Sequence, residues 1–243
     1  MQFFVDTANL ADIEAALRRG FVRGVTTNPS LLSKEPKSSF KEHVVKIIGL
    51  IQEHQPGSHL SIEVFSRDPD EILRQAEQFA QEFNYPQMSI KVQVGWNELE
   101  TIAKLKAEGV SVNCTACMTV GQAMMAAAAG ARYVSLFWGR IRDAGREDAS
   151  AEKRSLLLAD QTLDQSDFDP AMVVRRVREL LEDSELAAEI IVGSIRSVVD
   201  VRDAALAGAH IVTIPPKFFP VMSNHYKTDQ VVDQFLKDFS GWM

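Results

Sequence analysis

Short apolar runs recur along the chain, and segments whose apolar residues repeat at helical spacing separate them. We interpret the apolar runs as buried strands because they are short and rich in β-branched residues. Strands spaced regularly between helices pair in parallel through βαβ crossovers. Eight such units predict an α/β fold, a (β/α)8 TIM barrel, with strands at residues 3–5, 22–26, 60–64, 88–94, 110–115, 133–137, 190–192 and 210–214.

The helical segments are bounded by capping and turn residues. Asn9 is placed to cap the first helix, and Asn28-Pro29 marks a stop after the second strand. A polar segment, 140–169, interrupts the alternation, and we expect a helix in its middle, over residues 151–160. The other predicted helices cover residues 11–17, 39–53, 70–83, 98–107, 121–129, 170–182, 198–207 and 230–239.

The length of the chain suits one barrel, since barrels of this class run to ~250 residues without splitting. Its 243 residues have a hydrophobic content of 46%, which is enough for a sizeable core. The sequence contains no evident linker, repeat or low-complexity segment. We therefore expect a single domain over residues 1–243.

Charge and hydropathy argue against two classes of partner. The chain carries 26 Lys and Arg against 33 Asp and Glu, a net charge of −7. No basic stretch could neutralise a run of nucleic-acid phosphates. No apolar run approaches the ~20 residues that span a bilayer, and the opening M-Q-F-F-V-D lacks a signal-peptide pattern. We expect a cytoplasmic protein that binds neither nucleic acid nor membrane.

The only two cysteines, Cys114 and Cys117, have the C-x-x-C spacing of thiol redox pairs. A redox function would require one of them to be exposed, with a thiol of lowered pKa. Side chains alternate between the two faces of a strand, so if Asn113 and Thr115 face a site, Cys114 faces the packing. No second cysteine pair completes a zinc site.

Lys91 lies in the middle of the apolar run M-S-I-K-V-Q-V at residues 88–94. On an edge strand it could point to water. Inside an apolar interior an ammonium loses its solvation, which favours the neutral amine. A neutral amine can attack a carbonyl carbon and form a Schiff base.

Polar residues cluster where the predicted strands end. Active sites of (β/α)8 barrels lie at the C-terminal ends of their strands. Taken singly, each residue has a structural explanation: Asp6 could cap a helix, and Asn28-Pro29 could only form a turn. Their common location on one rim instead predicts a site, formed by Asp6, Thr26, Asn28, Glu63, Lys91, Asn113, Thr115, Ser135, Arg140, Ser194 and Arg196.

Motifs along nearly the whole chain resemble those of the transaldolase family, including its small fructose-6-phosphate aldolase branch. They are F-V-D-T at the start, G-V-T-T-N-P-S at 24–30, I-K-V around Lys91, E-G-V-x-V-N-C-T from 108, A-A-x-A-G-A-R-Y-V-S-x-F-x-G-R-I ending at 141, G-S-I-R at 193–196, A-G-A-H-I-V-T-I-P, and H-x-x-T-D at 225–229. The resemblance implies that Lys91 forms a Schiff base with a ketose phosphate, without metal or other cofactor.

The same resemblance implies roles for the other catalytic residues. Asp6 corresponds to the carboxylate that handles the proton of the C4 hydroxyl during carbon–carbon cleavage. Glu63 corresponds to an acid/base residue that acts through a water, which Thr115 helps to hold. This assistance suits imine chemistry, in which a carbinolamine must lose and regain water.

The resemblance also divides the substrate-binding residues between two parts of the sugar phosphate. Asn28, Asn113 and Ser135 match positions that hold the dihydroxyacetone part. Arg140, Ser194 and Arg196 match the phosphate site, where arginines suit an oxyanion through forked, charge-assisted hydrogen bonds. Thr26 and Phe137 complete the predicted substrate-binding set.

Two positions distinguish the branches of the family. The aldolase branch carries Gln in place of Glu63 and Tyr in place of Phe137, so the resemblance favours a transaldolase of the pentose phosphate pathway. Such an enzyme moves a dihydroxyacetone unit from fructose 6-phosphate or sedoheptulose 7-phosphate to an aldose phosphate. A fructose-6-phosphate aldolase that releases free dihydroxyacetone is the alternative. From other classes, a non-catalytic barrel that binds a sugar phosphate and a C-x-x-C redox protein remain.

Several residues depart from the family pattern. Gln93 shares strand parity with Lys91, so we expect it to point inward near the mouth of the barrel. Trp138 replaces a small aliphatic residue, segment 140–169 is longer than in short members, and Lys217 adds a charge beyond the eighth strand. Short family members form rings, so the resemblance also implies a homo-oligomer.

Overall fold

The computed structural model describes residues 1–37 and 39–242. Eight parallel strands close into a barrel in chain order, and the last strand pairs with the first. This confirms the predicted (β/α)8 architecture. The strands are β1 Gln2–Asp6, β2 Val22–Thr26, β3 His59–Glu63, β4 Met88–Gln93, β5 Val112–Cys117, β6 Tyr133–Phe137, β7 Glu189–Gly193 and β8 Ile211–Ile214.

Helices connect the strands and cover the outside of the barrel. In the described part of the chain they are α1 Leu10–Leu17, α2 Pro29–Leu32, α3 Phe40–His54, α4 Pro69–Phe83, α5 Trp96–Ala107, α6 Val120–Ala128, α7 Trp138–Ala144, α8 Ala151–Ala159, α9 Pro170–Asp183, α10 Val198–Leu206, α11 Phe218–Ser223 and α12 Tyr226–Phe239. None of them combines the length and the hydropathy of a membrane-spanning helix.

Local capping explains where several helices begin. Asn9 caps α1 as predicted, because its side chain accepts a hydrogen bond from the backbone N–H of Asp12 at 3.0 Å. Thr119 and Gln122 form a reciprocal capping box at the start of α6. Each cap satisfies backbone donors that the first turn of a helix leaves unpaired.

The fifth strand runs over Val112–Cys117, two residues later than predicted. The backbone N–H of Val110 instead donates to the carbonyl of Leu105, and Gly109 takes a left-handed conformation with φ of 79°. Together they close the C-terminus of α5, so Val110 belongs to the helix end. Ser111 leads into β5, and its carbonyl accepts from the N–H of Ile90 at 2.9 Å.

The polar segment after the sixth strand contains more helix than predicted. The expected helix forms as α8, and 3-10 turns at Asp148–Ser150 and Gln165–Phe168 flank it. The sequence interpretation missed α7, α2 and α11. Trp138 begins α7 with 4% of its surface exposed, packed in the main hydrophobic core.

Most of the apolar core lies between the barrel and its helices, and a smaller cluster fills the floor of the barrel. Phe4, Ile191 and Ile211 form this floor, with Tyr133 packed against them. Gly24 makes room for Phe4, since a Cβ atom at Gly24 would lie 2.7 Å from the Phe4 ring. Above this floor the interior is polar, and that polar layer forms the site.

Candidate active site

A cavity of about 420 Å³ opens at the C-terminal ends of the strands. Every predicted site residue except Arg196 lines it. These residues are Asp6, Thr26, Asn28, Glu63, Lys91, Asn113, Thr115, Ser135, Phe137, Arg140 and Ser194. The predicted cluster therefore exists, at the end of the barrel where the fold predicts it.

Lys91 lies on the inner face of β4, with 5% of its surface exposed. Because β4 pairs with both β3 and β5, Lys91 is not on an edge strand. Its Nζ atom donates hydrogen bonds to the carbonyl oxygen of Thr27 at 3.0 Å and to Oε2 of Glu63 at 2.7 Å. The amine is thus held at a defined point in the cavity wall.

Glu63 ends β3 and contacts the amine directly. A carboxylate at hydrogen-bonding distance can take a proton from the ammonium group without an intervening water. Thr115 lies close by in the cavity wall, and its buried Oγ1 has no hydrogen-bond partner among the described residues. A buried, unpaired hydroxyl in a site is available to a ligand.

Asp6 ends β1, close enough to Lys91 and Glu63 for their charges to act on its carboxyl group. The hydroxyl of Thr26 donates to its Oδ1 at 2.9 Å, and the Oγ1 atoms of Thr26 and Thr213 lie 2.5 Å apart. Burial raises the pKa of Asp6, against the opposing effects of the Lys91 charge and the Thr26 hydrogen bond. A carboxyl group of raised pKa is suited to carry a proton in both directions.

Asn28 follows β2, where it lines the cavity and caps the next helix. Its side-chain oxygen accepts from the backbone N–H of Leu31 at 3.0 Å, which caps the short helix α2. The turn expected at Asn28-Pro29 and the predicted site residue therefore coexist, because the amide nitrogen of Asn28 remains for a ligand.

The phosphate end of the predicted site combines α7 with the segment that follows β7. Ser194 takes a left-handed conformation with φ of 58°, and its carbonyl accepts from the N–H of Gly139 at 3.1 Å. A Cβ atom at Gly139 would lie 2.6 Å from both Ser194 O and Arg196 Nε, so only glycine allows this approach. Arg140, next in the chain, is exposed and reaches the cavity from the rim.

Arg196 does not line the cavity, in contrast to the prediction, because it forms an ion pair with Asp143 of α7. Its Nη1 atom donates to Oδ1 of Asp143 at 2.6 Å, and Nη2 donates to Oδ2. The hydrogen bonds from Arg196 hold the pKa of Asp143 below its usual range. Asp200 anchors the same segment, accepting from the Arg196 backbone at 3.0 Å and from Arg142 at 2.7 Å.

Comparison with known proteins identifies the family. A sequence profile of the transaldolase/fructose-6-phosphate aldolase family matches residues 3–241. The chain belongs to this family. A probable transaldolase of Halalkalibacterium halodurans is 35% identical over 241 residues, which cover 99% of this chain and 100% of the relative.

Two other relatives carry similar names. A probable transaldolase of Alkaliphilus metalliredigens is 34% identical over 241 residues, 99% of each chain. Probable transaldolase 2 of Listeria monocytogenes is 33% identical over 242 residues, 100% of this chain and 97% of the relative. The family resemblance inferred from the motifs is confirmed.

Three departures from the transaldolase family pattern lie outside the cavity. Gln93 was expected to face the mouth of the barrel, but its amide donates to the Ser66 carbonyl at 2.9 Å and to Glu98 at 3.2 Å. These contacts turn Gln93 toward the loop after β3. Trp138 is a core residue, and the ammonium of Lys217 lies 5.0 Å from the centre of the Phe218 ring.

Both cysteines of this transaldolase family member are buried. Cys114 faces the packing as predicted. A register shift in β5, at Ala116 with φ of 62°, places Cys117 in the outer core as well. The hydrogen bond between the two thiols, together with burial, raises the pKa of Cys117 well above its ordinary value. The exposed thiol of lowered pKa that a redox function requires is therefore not formed by Cys117.

Sequence reasoning missed several polar residues that support the site, namely Thr27, Ser61, Asp143, Asp200 and Thr213. For Ser61 a signal existed, because it shares strand parity with Glu63. Across residues 1–37 and 39–242, no group of three or more His, Cys, Asp or Glu side chains is placed to hold a metal ion.

Proposed function

We propose that the protein is a transaldolase that transfers a dihydroxyacetone unit between sugar phosphates through a Schiff base on Lys91. The observation that carries this proposal is the buried amine of Lys91, 2.7 Å from the Glu63 carboxylate, in a cavity lined with hydroxyl, amide and guanidinium groups. The names of the relatives support the reaction type.

In the first step, Glu63 takes a proton from the ammonium group of Lys91, and the neutral amine attacks C2 of the ketose phosphate. The resulting carbinolamine loses its C2 oxygen as water, with a proton supplied by Glu63, and becomes an iminium ion. The unpaired hydroxyl of Thr115 is placed to hold that water.

In the second step, Asp6 accepts the proton of the C4 hydroxyl while the C3–C4 bond breaks. The electron pair moves into the iminium group, so that an enamine remains on Lys91 and an aldose phosphate leaves. When a second aldose phosphate arrives, the enamine carbon attacks its aldehyde, and Asp6 returns the proton to the new C4 oxygen. Hydrolysis of the iminium ion then releases the new ketose phosphate.

Binding of the donor uses two groups of residues. Asn28, Asn113 and Ser135 hold the dihydroxyacetone part, close to Lys91. Arg140 and Ser194 hold the phosphate at the rim, and Arg196 contributes there once a phosphate competes with Asp143 for its guanidinium group. Fructose 6-phosphate and sedoheptulose 7-phosphate are the proposed donors.

The transferase is favoured over a fructose-6-phosphate aldolase by the chemistry of the residue at position 137. Phe137 lines the cavity without a hydroxyl group, so it offers no proton to the enamine. An enamine that is not protonated persists until an aldehyde arrives. Because both substrates are sugar phosphates, which do not cross membranes unaided, we propose a cytoplasmic enzyme of the pentose phosphate pathway.

We also propose that the protein is a homo-oligomer. No residue of α12 is buried, and apolar side chains follow one another along it at spacings of three and four. Phe235 and Leu236 have 65% and 66% of their surface exposed. An amphipathic helix with such a face is typical of an interaction site.

A second copy of the chain offers a matching surface. An apolar groove between α1 and α11 includes Phe21 and Phe219. The charged residues that line it are Arg19, Lys217 and Asp12, so positive charge is in excess. The helix α12 carries Asp229 and Asp233 beside its apolar face. Light scattering should give an oligomer for the wild type and a smaller species for a Phe235→Glu, Leu236→Glu variant. A wild-type monomer would refute this part of the proposal.

Borohydride trapping tests the catalytic proposal. Incubation with fructose 6-phosphate and borohydride should add the mass of the reduced sugar adduct to the peptide that contains Lys91. Lys91→Met should lose both labelling and turnover, whereas Lys104→Met, which removes an exposed lysine of α5, should retain both. The absence of any adduct would contradict the proposal and leave a non-catalytic sugar-phosphate-binding barrel. An adduct on another lysine would contradict the role of Lys91.

A further inference from the structure

Four buried polar side chains form a continuous hydrogen-bonded chain through the barrel, from the active-site cavity to its floor. The Oγ atom of Ser135 lies 2.7 Å from Oδ1 of Asn113, and Nδ2 of Asn113 lies 3.1 Å from Oγ of Ser61. The same Ser61 oxygen lies 2.7 Å from Nε2 of His59. Ser61 and Asn113 are fully buried, and Ser135 and His59 are nearly so. Two members, Ser61 and His59, have no part in the catalytic steps above.

The chemistry of the four groups determines the direction of these hydrogen bonds. Oδ1 of Asn113 can only accept, so Ser135 donates its single hydroxyl proton to it. Asn113 donates to Ser61 through its amide N–H. With the His59 proton on Nδ1, Ser61 donates a hydrogen bond from its own hydroxyl to Nε2 of His59, since a buried hydroxyl without an acceptor is costly. All three bonds therefore point from the cavity toward the floor.

His59 is suited to end this chain as an acceptor. Its ring stacks on the Phe4 ring with 5.2 Å between the ring centres, and it meets the Tyr133 ring edge-on with 4.8 Å between the centres. These contacts fix the direction of Nε2. Burial, with a smaller effect of the Arg132 charge, lowers the pKa of His59 to about 3. The imidazole is thus neutral near pH 7, and with its proton on Nδ1 it offers the lone pair of Nε2 to Ser61.

We propose that Ser61 and His59 are positioning residues that hold the amide of Asn113 in one orientation, so that Ser135 presents only lone pairs to the cavity. Ser135 then selects a substrate group that donates a hydrogen bond. This assignment rests on the proposed function. The group is then the C1 hydroxyl of the ketose, which lies in the dihydroxyacetone unit next to the carbonyl carbon that Lys91 attacks. Neither Ser61 nor His59 contacts the substrate itself.

Two donors that differ only at C1 test this proposal: fructose 6-phosphate and 1-deoxyfructose 6-phosphate. The measured quantity is the ratio of their kcat/KM values in transfer to erythrose 4-phosphate. A neutral hydrogen bond should favour the hydroxylated donor about three- to tenfold in the wild type. Ser61→Ala frees the Asn113 amide to turn, and the ratio should fall toward one. Ser61→Thr, which keeps the hydroxyl, should restore it.

Ser89→Ala is the matched control. Ser89 is also a buried serine, on β4, and its Oγ lies 2.6 Å from Oγ of Ser111, outside the chain of His59 and Asn113. Ser89→Ala removes a part-buried hydrogen bond between two serine side chains and should leave the ratio unchanged. His59→Phe keeps an aromatic ring against Phe4 and Tyr133, and it should lower the ratio as Ser61→Ala does. This variant tests the proposal if Ser61→Ala does not fold.

The outcomes separate this proposal from the proposed function. If the wild type forms no borohydride adduct on Lys91, the proposed function fails. If the adduct forms and Ser61→Ala or His59→Phe keeps the wild-type ratio, the positioning role is wrong. A wild-type ratio of one, or an equal fall in Ser89→Ala, would overturn it as well.

Discussion

Glu63 and Lys91 stand opposite each other in the register of β3 and β4, and their charged groups lie 2.7 Å apart. Both side chains are largely shielded from solvent, so little water competes for either group. In the site without substrate, Glu63 and Lys91 are therefore each other's main charged partner.

Glu63→Gln tests the proton transfer in this pair. The amide keeps the size of Glu63 and can still contact Lys91, but it cannot take a proton from it. Loss of a general acid/base should lower kcat/KM by about 10²- to 10⁴-fold, and the rate of borohydride trapping should fall with it. Glu53→Gln, at an exposed position on α3, is the control. Trapping at the wild-type rate would mean that another group deprotonates the amine.

Arg140→Ala tests the phosphate site. Loss of a charge-assisted hydrogen bond costs ~1.5–3 kcal/mol, so KM for phosphorylated donors should rise about tenfold to over a hundredfold. Unphosphorylated dihydroxyacetone donors should be affected far less. Arg196→Ala should have a smaller effect of the same kind, because Arg196 is paired with Asp143 and does not line the cavity.

Arg175→Ala, at an exposed position on α9, provides the control for both arginines. Steady-state kinetics with the two types of donor give the result directly. An equal loss on phosphorylated and unphosphorylated donors would place Arg140 outside the phosphate site.

Phe137→Tyr tests the choice between transfer and release. The new hydroxyl would enter the cavity from β6 and could hold a water or relay a proton, with Glu63 present to exchange protons with that water. Protonation of the enamine would then compete with transfer. Release of dihydroxyacetone from fructose 6-phosphate should increase relative to transfer onto erythrose 4-phosphate. If the wild type already releases dihydroxyacetone as fast as it transfers it, the enzyme is an aldolase.

Asp6→Asn should lower turnover and raise stability together. Without a carboxylate to carry the C4 proton, kcat should fall by about 10²- to 10⁴-fold. Because burial raises the pKa of Asp6, the folded chain holds this proton more tightly than the unfolded chain does. Stability of the wild type therefore falls as the pH rises from the ordinary carboxyl range through the raised pKa, and the variant escapes this loss.

Thermal unfolding at several pH values measures the second effect. The melting temperature of Asp6→Asn should exceed that of the wild type at pH 7, and the difference should vanish at acid pH, where Asp6 is protonated in both states. A lower melting temperature for the variant at pH 7 would show that the ionised carboxylate stabilises the site.

Strand periodicity accounts for how much of this site could be predicted. Parallel strands bring their C-terminal ends to one rim, so the polar residues after each apolar run converge without any knowledge of their contacts. Lys91 and Glu63 belong to this convergent set of polar residues. Alternation predicts that Asn113 and Thr115 share one face of their strand, and their roles follow from the family resemblance.

Contacts between segments that are distant in the sequence cannot be predicted from strand periodicity. Arg196 is paired with Asp143, which lies on a helix that the sequence interpretation missed, and it does not line the cavity. Gln93 has the expected strand parity, but the Ser66 carbonyl and Glu98 compete for its amide. Such pairings depend on how loops pack in three dimensions, which a hydrophobic pattern does not encode.

The hydroxyl of Thr26 joins Asp6 on the first strand to Thr213 on the last. Asp6 is synthesised more than two hundred residues before Thr213. The surroundings of this carboxylate are therefore complete only when β8 has closed the barrel beside β1. A nascent chain that stops before β8 has the seven other strands but lacks the pairing of β8 with β1, so activity should arise as a single event once β8 has been synthesised.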